Sequence, residues 1–357
     1  MLADPARLER DLVDSRARAV RVTRDLDGER LLGPKLAIVN PPLWEIGHVA
    51  WFQERWCLRQ RADGPLADSI LPDADALYDS SAVAHDTRWD LPLPGLAAIR
   101  AYGAAVLDRV RVRLAREGES AALQYFVQLA IFHEDMHAEA FHYTRQTLGY
   151  SEPAFEFHPG KNSKSEIEIP GGPFMLGARS RDGFVFDNEK WAHEVKISPF
   201  RISQSAVTNA EYLAYVEAGG APPRYWKKDG GKWMQRRFER WLPLEPDAPL
   251  LHVDWNEARA YCAWAKRRLP TEAEWECASS RLAVGQVWEW TSSTFDPYPG
   301  FVLDPYQEYS QPWFGTHKVL RGGSFATPAR LMRPTFRNFY TPDRGDIFSG
   351  FRTCALS

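Results

Sequence analysis

Cysteine is scarce in this sequence: four residues in 357, at Cys57, Cys262, Cys277 and Cys354. No two of them form a C-x-x-C pair. A set this sparse and scattered is not a disulfide framework. It fits a reducing cytoplasm, with each thiol acting as a small buried hydrophobe. Long apolar runs are missing too, and no stretch approaches the roughly 18 residues that a membrane span needs. The first ten residues are charged and carry no apolar segment, so a secretory signal is not expected there. Basic runs are absent, and the net charge of -3 with a pI near 6.3 leaves no electrostatic footprint for nucleic acid. There is no internal repeat and no low-complexity tract.

What the chain does have is length, ordinary polarity and many aromatic residues. At 357 residues it is long for one core and predicts two domains. Residues 1 to 150 read as helical. Leu8, Leu12, Ala17, Val20 and Val22 recur at roughly helical spacing, and Pro41 and Pro42 stand where a second helix can start. That helix runs from Trp44 to Leu58 with only Gly47 as a breaker. Two more are predicted at 96–117 and 119–147, the last ending near Gly149. Four such helices make an antiparallel bundle, with 62–94 as a long connection. Residues 151–166 read as a linker. From 167 to 357 the composition changes to short β-like runs between glycine and proline turns: 167–169, 174–176, 193–197 and 318–320. Two helices are embedded at about 208–218 and 255–267. The fold class is α+β, a four-helix bundle followed by a loop-rich α+β domain.

The chemistry concentrates in Phe132-His133-Glu134-Asp135-Met136-His137. His133 and His137 are four residues apart on a helix, so they share a face and can bind one metal ion. Glu134 makes the string H-E-x-x-H, the zinc-protease pattern, so a zinc hydrolase is a competing reading. His48 is the best third ligand, because its apolar helix faces the bundle core. A lone histidine on such a face is more often a hydrogen-bonded core residue, and for His48 alone that alternative stands. Three imidazoles suit iron, zinc or copper. His142 is out of phase with the pair, and His85, His158, His193, His252 and His317 are scattered.

The second half carries a specific set of strings: IPGGPFMLG at 169–177, VTNAEY at 207–212, RLPTEAEWE at 268–276, VWEWT at 287–291, LRGGSF at 320–325 and GFR at 350–352. They resemble the domain of formylglycine-generating enzymes and sulfatase-modifying factors. The helical half resembles a DinB-like bundle with an iron-binding three-His set. Together they resemble the ergothioneine sulfoxide synthases and the related selenoneine synthases, which join sulfur or selenium to hercynine with iron and dioxygen. The resemblance implies that His48, His133 and His137 hold Fe(II), and that Glu134 is a supporting residue. It also implies small-molecule partners: hercynine, a chalcogen donor and O2. Formylglycine-generating enzymes use cysteines near the end of this domain. The matching stretch, 333–344, has none, which argues against that chemistry. The strings themselves read mostly as scaffold.

In that family substrates lie between the bundle and loops of the second domain. The resemblance places Asn338 at the amino-acid end of hercynine and Phe339 and Tyr340 beside its trimethylammonium; each ring reads equally well as ordinary core. In synthases that use γ-glutamylcysteine, an acid four residues before an arginine binds the donor. The matching positions are Tyr340 and Arg344, so the arginine is kept and the acid is lost. Arg88 is the expected upstream arginine for the donor, and Met136 replaces a polar residue before the last ligand. Phe301 stands near the position of the catalytic tyrosine, with Tyr298 the nearest hydroxyl and the expected catalytic phenol. Loss of the acid weakens binding of an amino-acid donor. The reading is a selenoneine synthase using a 1-seleno-sugar. An ergothioneine-type synthase using γ-glutamylcysteine or cysteine is the alternative. A DinB-like thiol transferase or a non-catalytic binding protein is the alternative of another class. The stretch from Glu276 to Val287 is shorter than the resemblance leads one to expect, and nothing speaks to oligomeric state.

Overall fold

The structure is a computed structural model that describes residues 2–60, 64–154 and 165–356. The chain divides into two compact units, the first ending at Ala154. Of the expected linker, residues 155–164 lie outside the described residues, and so does His158. Among the described residues no helix is long and apolar enough to cross a membrane.

The first unit is helical. Helix α1 (Pro5–Val22) begins where the Asp4 carboxylate accepts from the Ala6 amide and Pro5 presets the first turn. Helix α2 (Pro42–Glu54) starts at the predicted proline pair and continues as one wider, π-helical turn over Arg55–Arg59. The expected connection at 62–94 contains a short helix, α3 (Ala74–Tyr78). It is fastened by Arg59, which reaches both Asp75 oxygens at 2.7 Å. Helix α4 spans Leu96–Glu117. Helix α5 (Ala121–Leu148) is capped by Ser120 and stopped at Gly149, whose φ of +67° is left-handed. Helix α1 packs on α5, and α2 packs on α4 and α5. Gly47 is no breaker: a Cβ there would lie 2.3 Å from the Tyr78 ring, so glycine lets α3 press against α2.

The second unit mixes short strands and short helices, so the chain as a whole is α+β. One sheet has the order β1 (Glu166–Ile169), β4 (Phe200–Ser203), β13 (Cys354–Ala355), β8 (Arg267–Arg268). A second has the order β11 (Asn338–Tyr340), β10 (Lys318–Arg321), β9 (Trp288–Thr294), β12 (Ser349–Gly350). Strands β2 (Gly172–Leu176) and β3 (His193–Ile197) form a hairpin, and β5 (Trp226–Asp229), β6 (Lys232–Arg237) and β7 (Arg240–Pro243) a meander. Helices α6 (Asn209–Glu217), α7 (Trp255–Trp264) and α8 (Glu272–Ala278) each start with a reciprocal capping box, at Thr208/Glu211, Asp254/Glu257 and Thr271/Glu274.

The quoted strings of this unit meet one another in its core. Glu289 of the W-E-W string binds Trp275 Nε1 at 2.7 Å and the guanidinium of Arg352, from the G-F-R string. Arg321 of R-G-G-S reaches Glu272 at 2.8 Å and Glu276 at 3.0 Å, both from the T-E-A-E-W-E string. Glu272 is also bound by Arg337. Arg321, Arg337 and Arg352 are fully buried, so each carboxylate offsets a large desolvation cost, and losing one partner would strand the other.

Candidate metal centre

Helix α2 contributes His48 and helix α5 contributes His133 and His137. One ligand atom of each lies within 4.8 Å of the others. The four-residue spacing on α5 puts two imidazoles on one face, and the packing of α2 on α5 brings the third. His48 Nδ1 lies 2.8 Å from the Tyr78 carbonyl oxygen, and His137 Nδ1 lies 2.6 Å from Glu45 Oε1. Each oxygen accepts, so Nδ1 is the donor in both contacts and Nε2 is the nitrogen left for a metal. Burial holds His48 and His133 well below the ordinary histidine range, and the neighbouring imidazoles push the same way. Neutral imidazole is the form that coordinates a metal.

Aromatic rings fix the cluster from outside. Trp44 stacks on His48 at 4.8 Å, and Phe52 stacks on His133 at 3.6 Å with planes 5° apart. The Arg88 guanidinium lies 4.0 Å over the Trp44 ring. Arg88 is itself buried and donates to Asn40 Oδ1 at 2.7 Å and to the Val83 carbonyl at 3.2 Å. The donor set fits a transition metal: three imidazoles, two of them buried and one half-buried, with no carboxylate among the ligands.

Glu134, the residue an H-E-x-x-H hydrolase needs as its base, is turned to another partner. Arg16 Nε lies 2.5 Å from its Oε1 and Arg16 Nη2 3.3 Å from its Oε2. Met136 is half-buried on α5 next to His137. His142 Nδ1 binds the Ala138 carbonyl, and His85 Nε2 the Val39 carbonyl, so both are local structural contacts. Glu45 escaped sequence reasoning. Its signal is there, a carboxylate one helical turn before His48.

The other expected site residues lie in the second unit. Tyr298 is buried there, its hydroxyl 3.0 Å from Arg321 Nη2 and 3.3 Å from Glu272 Oε2, with the Arg337 guanidinium over its ring. Burial drives this phenol far above the usual tyrosine range. Phe301 packs edge-on to Phe314. On β11, Asn338 Oδ1 accepts from the Phe339 amide, and the Phe339 ring stacks on Phe295 at 4.1 Å. Arg344 holds Asp346 in a two-point pair, 2.6 and 2.9 Å, and lies over the Tyr340 ring at 4.8 Å.

Comparison with known proteins agrees with this two-part build. Residues 11–141 match the DinB superfamily, and residues 152–283 and 281–356 match the sulfatase-modifying factor enzyme 1-like domain. The two parts of the second match overlap at 281–283, between α8 and β9. A hercynine oxygenase of Mycolicibacterium thermoresistibile is 33% identical over 97% of this chain and 94% of its own length. The hercynine oxygenase of Mycolicibacterium smegmatis is also 33% identical, over 96% of this chain and 97% of its own length. A formylglycine-generating enzyme of Streptomyces coelicolor is 28% identical over 57% of this chain and 94% of its own length. With its DinB half, its sulfatase-modifying-factor half and similarity to the curated relatives along nearly its whole length, the chain belongs to the hercynine oxygenase family.

Proposed function

We propose that this protein is an iron(II)- and dioxygen-dependent oxidoreductase that acts on hercynine and forms a carbon–selenium bond at imidazole C2, with a 1-seleno-sugar as donor. The observation that carries the reading is the cluster of His48, His133 and His137 in a chain similar over nearly its whole length to hercynine oxygenases. Those three imidazoles hold the iron, which supplies dioxygen activation and open positions for substrate. Asn338 binds the carboxylate of hercynine, and the aromatic faces of Phe339 and Tyr340 attract its trimethylammonium. Phe301 belongs to the same aromatic set. Arg88 is a fixed positive charge behind Trp44, and Met136 offers a polarizable thioether in place of a polar side chain. Tyr298 is left out of the chemistry in this reading, because its hydroxyl is committed to Arg321 and Glu272.

The choice of donor rests on charge. An amino-acid donor needs partners for an ammonium and a carboxylate. Tyr340 stands where γ-glutamylcysteine users have an acid, and Arg344 already holds Asp346. A neutral sugar lacks both charged groups and loses nothing by this. The alternative keeps hercynine and takes sulfur from γ-glutamylcysteine or cysteine, as in ergothioneine-type synthases.

The test is reconstitution with Fe(II) and hercynine in air, with a 1-seleno-sugar, γ-glutamylcysteine or cysteine in parallel, read by mass spectrometry. A hercynine–selenium product only with the selenosugar supports the proposal. A sulfoxide conjugate formed faster from a thiol replaces selenium by sulfur. No product and no oxygen uptake with any donor overturns hercynine as the acceptor and favours a DinB-like thiol transferase or a metal-binding protein without catalysis.

A further inference from the structure

We propose that Glu45 is a positioning residue of the metal centre, which acts through His137 and makes it a stronger ligand than a carbonyl-held imidazole would be. The inference rests on the three-His cluster binding a metal and is independent of the substrate.

The two ligands whose outer partners are defined are held by different chemistries. His48 faces a backbone carbonyl, which is neutral. His137 faces the Glu45 carboxylate at 2.6 Å, the length of a charge-assisted hydrogen bond. A carboxylate on Nδ1–H draws the proton toward itself and raises the electron density that Nε2 offers to the metal. Glu45 is only 1% exposed, and a carboxylate at that depth needs positive charge nearby. Arg88 supplies part, being close enough to feel the Glu45 charge. A divalent ion held by His137 would add to it. The same argument runs outward from the ion. Three neutral imidazoles leave both its charges uncompensated, and one buried carboxylate a ring-width away lowers the cost of burying it. Glu134 does not take this part, since Arg16 holds it.

The placement is economical in the sequence. Glu45 and His48 are three residues apart and lie on one side of α2, so a single helical turn delivers one ligand and the outer partner of a second. Trp44 and Ile46 flank Glu45 in an otherwise apolar segment, so the acid is an exception to the pattern that calls for a role.

The test is Glu45→Gln, which keeps an oxygen that can accept from His137 and removes the charge. Folding of the apo variant is first checked by circular dichroism and urea unfolding. Affinity for Co(II) and Zn(II) is then measured anaerobically by competition with a chromophoric chelator, together with the Co(II) visible spectrum and the midpoint potential of bound iron. The expected result is metal binding weaker by about 10- to 100-fold, an altered cobalt spectrum and a more positive potential. Combined with His137→Ala, Glu45→Gln has no further effect on affinity. Binding within about twofold of the parent protein with the same spectrum overturns the inference, as does an undiminished effect in the His137→Ala background. Should Glu45→Gln not fold, Glu45→Asp takes its place. It keeps the charge but shortens the reach, and it overturns the inference if it neither weakens binding nor shifts the spectrum. Failure of the parent protein itself to bind either metal would instead refute the metal centre on which this rests.

Discussion

Replacing Glu134 by glutamine separates the two chemistries that an H-E-x-x-H string can encode. In a hydrolase the glutamate is the general base, and its loss costs about 10²- to 10⁴-fold in rate with little effect on folding. In this structure Glu134 is 1% exposed and bound at two points by Arg16, whose own side chain is 14% exposed. Breaking a fully buried ion pair from one side costs roughly 3–5 kcal/mol. Here glutamine can still accept from Arg16 Nε, Gln53 Oε1 remains 3.2 Å from Arg16 Nη2, and the guanidinium keeps some contact with water. The expected loss is therefore about 1–3 kcal/mol of unfolding free energy. Urea unfolding of parent and variant measures it. In parallel, hercynine- and donor-dependent oxygen uptake is followed under conditions where both proteins are folded. The expected pair of results is lowered stability and oxygen uptake within a few-fold of the parent. Unchanged stability with turnover reduced a hundredfold or more would refute the reasoning and return Glu134 to the reacting centre.

Tyr298→Phe removes a hydroxyl shared by Arg321 and Glu272, and lowers stability by about 1–2 kcal/mol while leaving the product ratio and turnover of hercynine intact; a tenfold loss of turnover without loss of stability would make the phenol part of the chemistry. Gly47→Ala, which in most helices stabilises, is expected to destabilise by about 1–3 kcal/mol and to weaken metal retention, because the new Cβ meets the Tyr78 ring at 2.3 Å and Tyr78 carries the carbonyl that orients His48. Acidification acts through buried histidines. Burial lowers His142 from 6.5 to about 4 and His252 from 6.5 to about 3. The unfolded chain therefore takes up protons first, so stability is full above about pH 6.5 and falls as the pH drops toward the folded values. At pH 5 each costs about 2 kcal/mol relative to pH 8, measured by urea unfolding. His252→Asn, which suits the left-handed φ of +66° there, removes its share of the slope, and an unchanged slope would contradict the assignment.

The helical half was legible because its signals are local. Apolar spacing, the proline pair before α2 and the glycine after α5 are read within a few residues of where they act. Helix α3 was missed for a physical reason: its five residues are too few to show a period, and it is held by Arg59 from outside rather than by its own propensity. In the second unit only the runs with several β-branched or aromatic residues stand out as strands. Strands β8, β12 and β13 are two residues each and exist only through pairing with distant partners, as Cys354 does with Ile202 and Arg268. The short helix α8 looked like a family string and is one, but the string's chemistry is a capping box followed by carboxylates that meet Arg321 and Arg337 from far along the chain.

The site divides along the same line. His133 and His137 form a pair by spacing, which sequence displays. The core-facing helix made His48 the candidate third ligand, and resemblance was what separated it from a buried histidine on an apolar helix. What sequence does display at that helix is Glu45, an acid among Trp44, Ile46 and Val49, where a core-facing segment has no use for charge. An acid in such a place calls for a positive partner. Reading α2 for the residue that does not belong, rather than for the residue that coordinates, would have pointed from Glu45 to a cation nearby, and from the cation to the histidine one turn on.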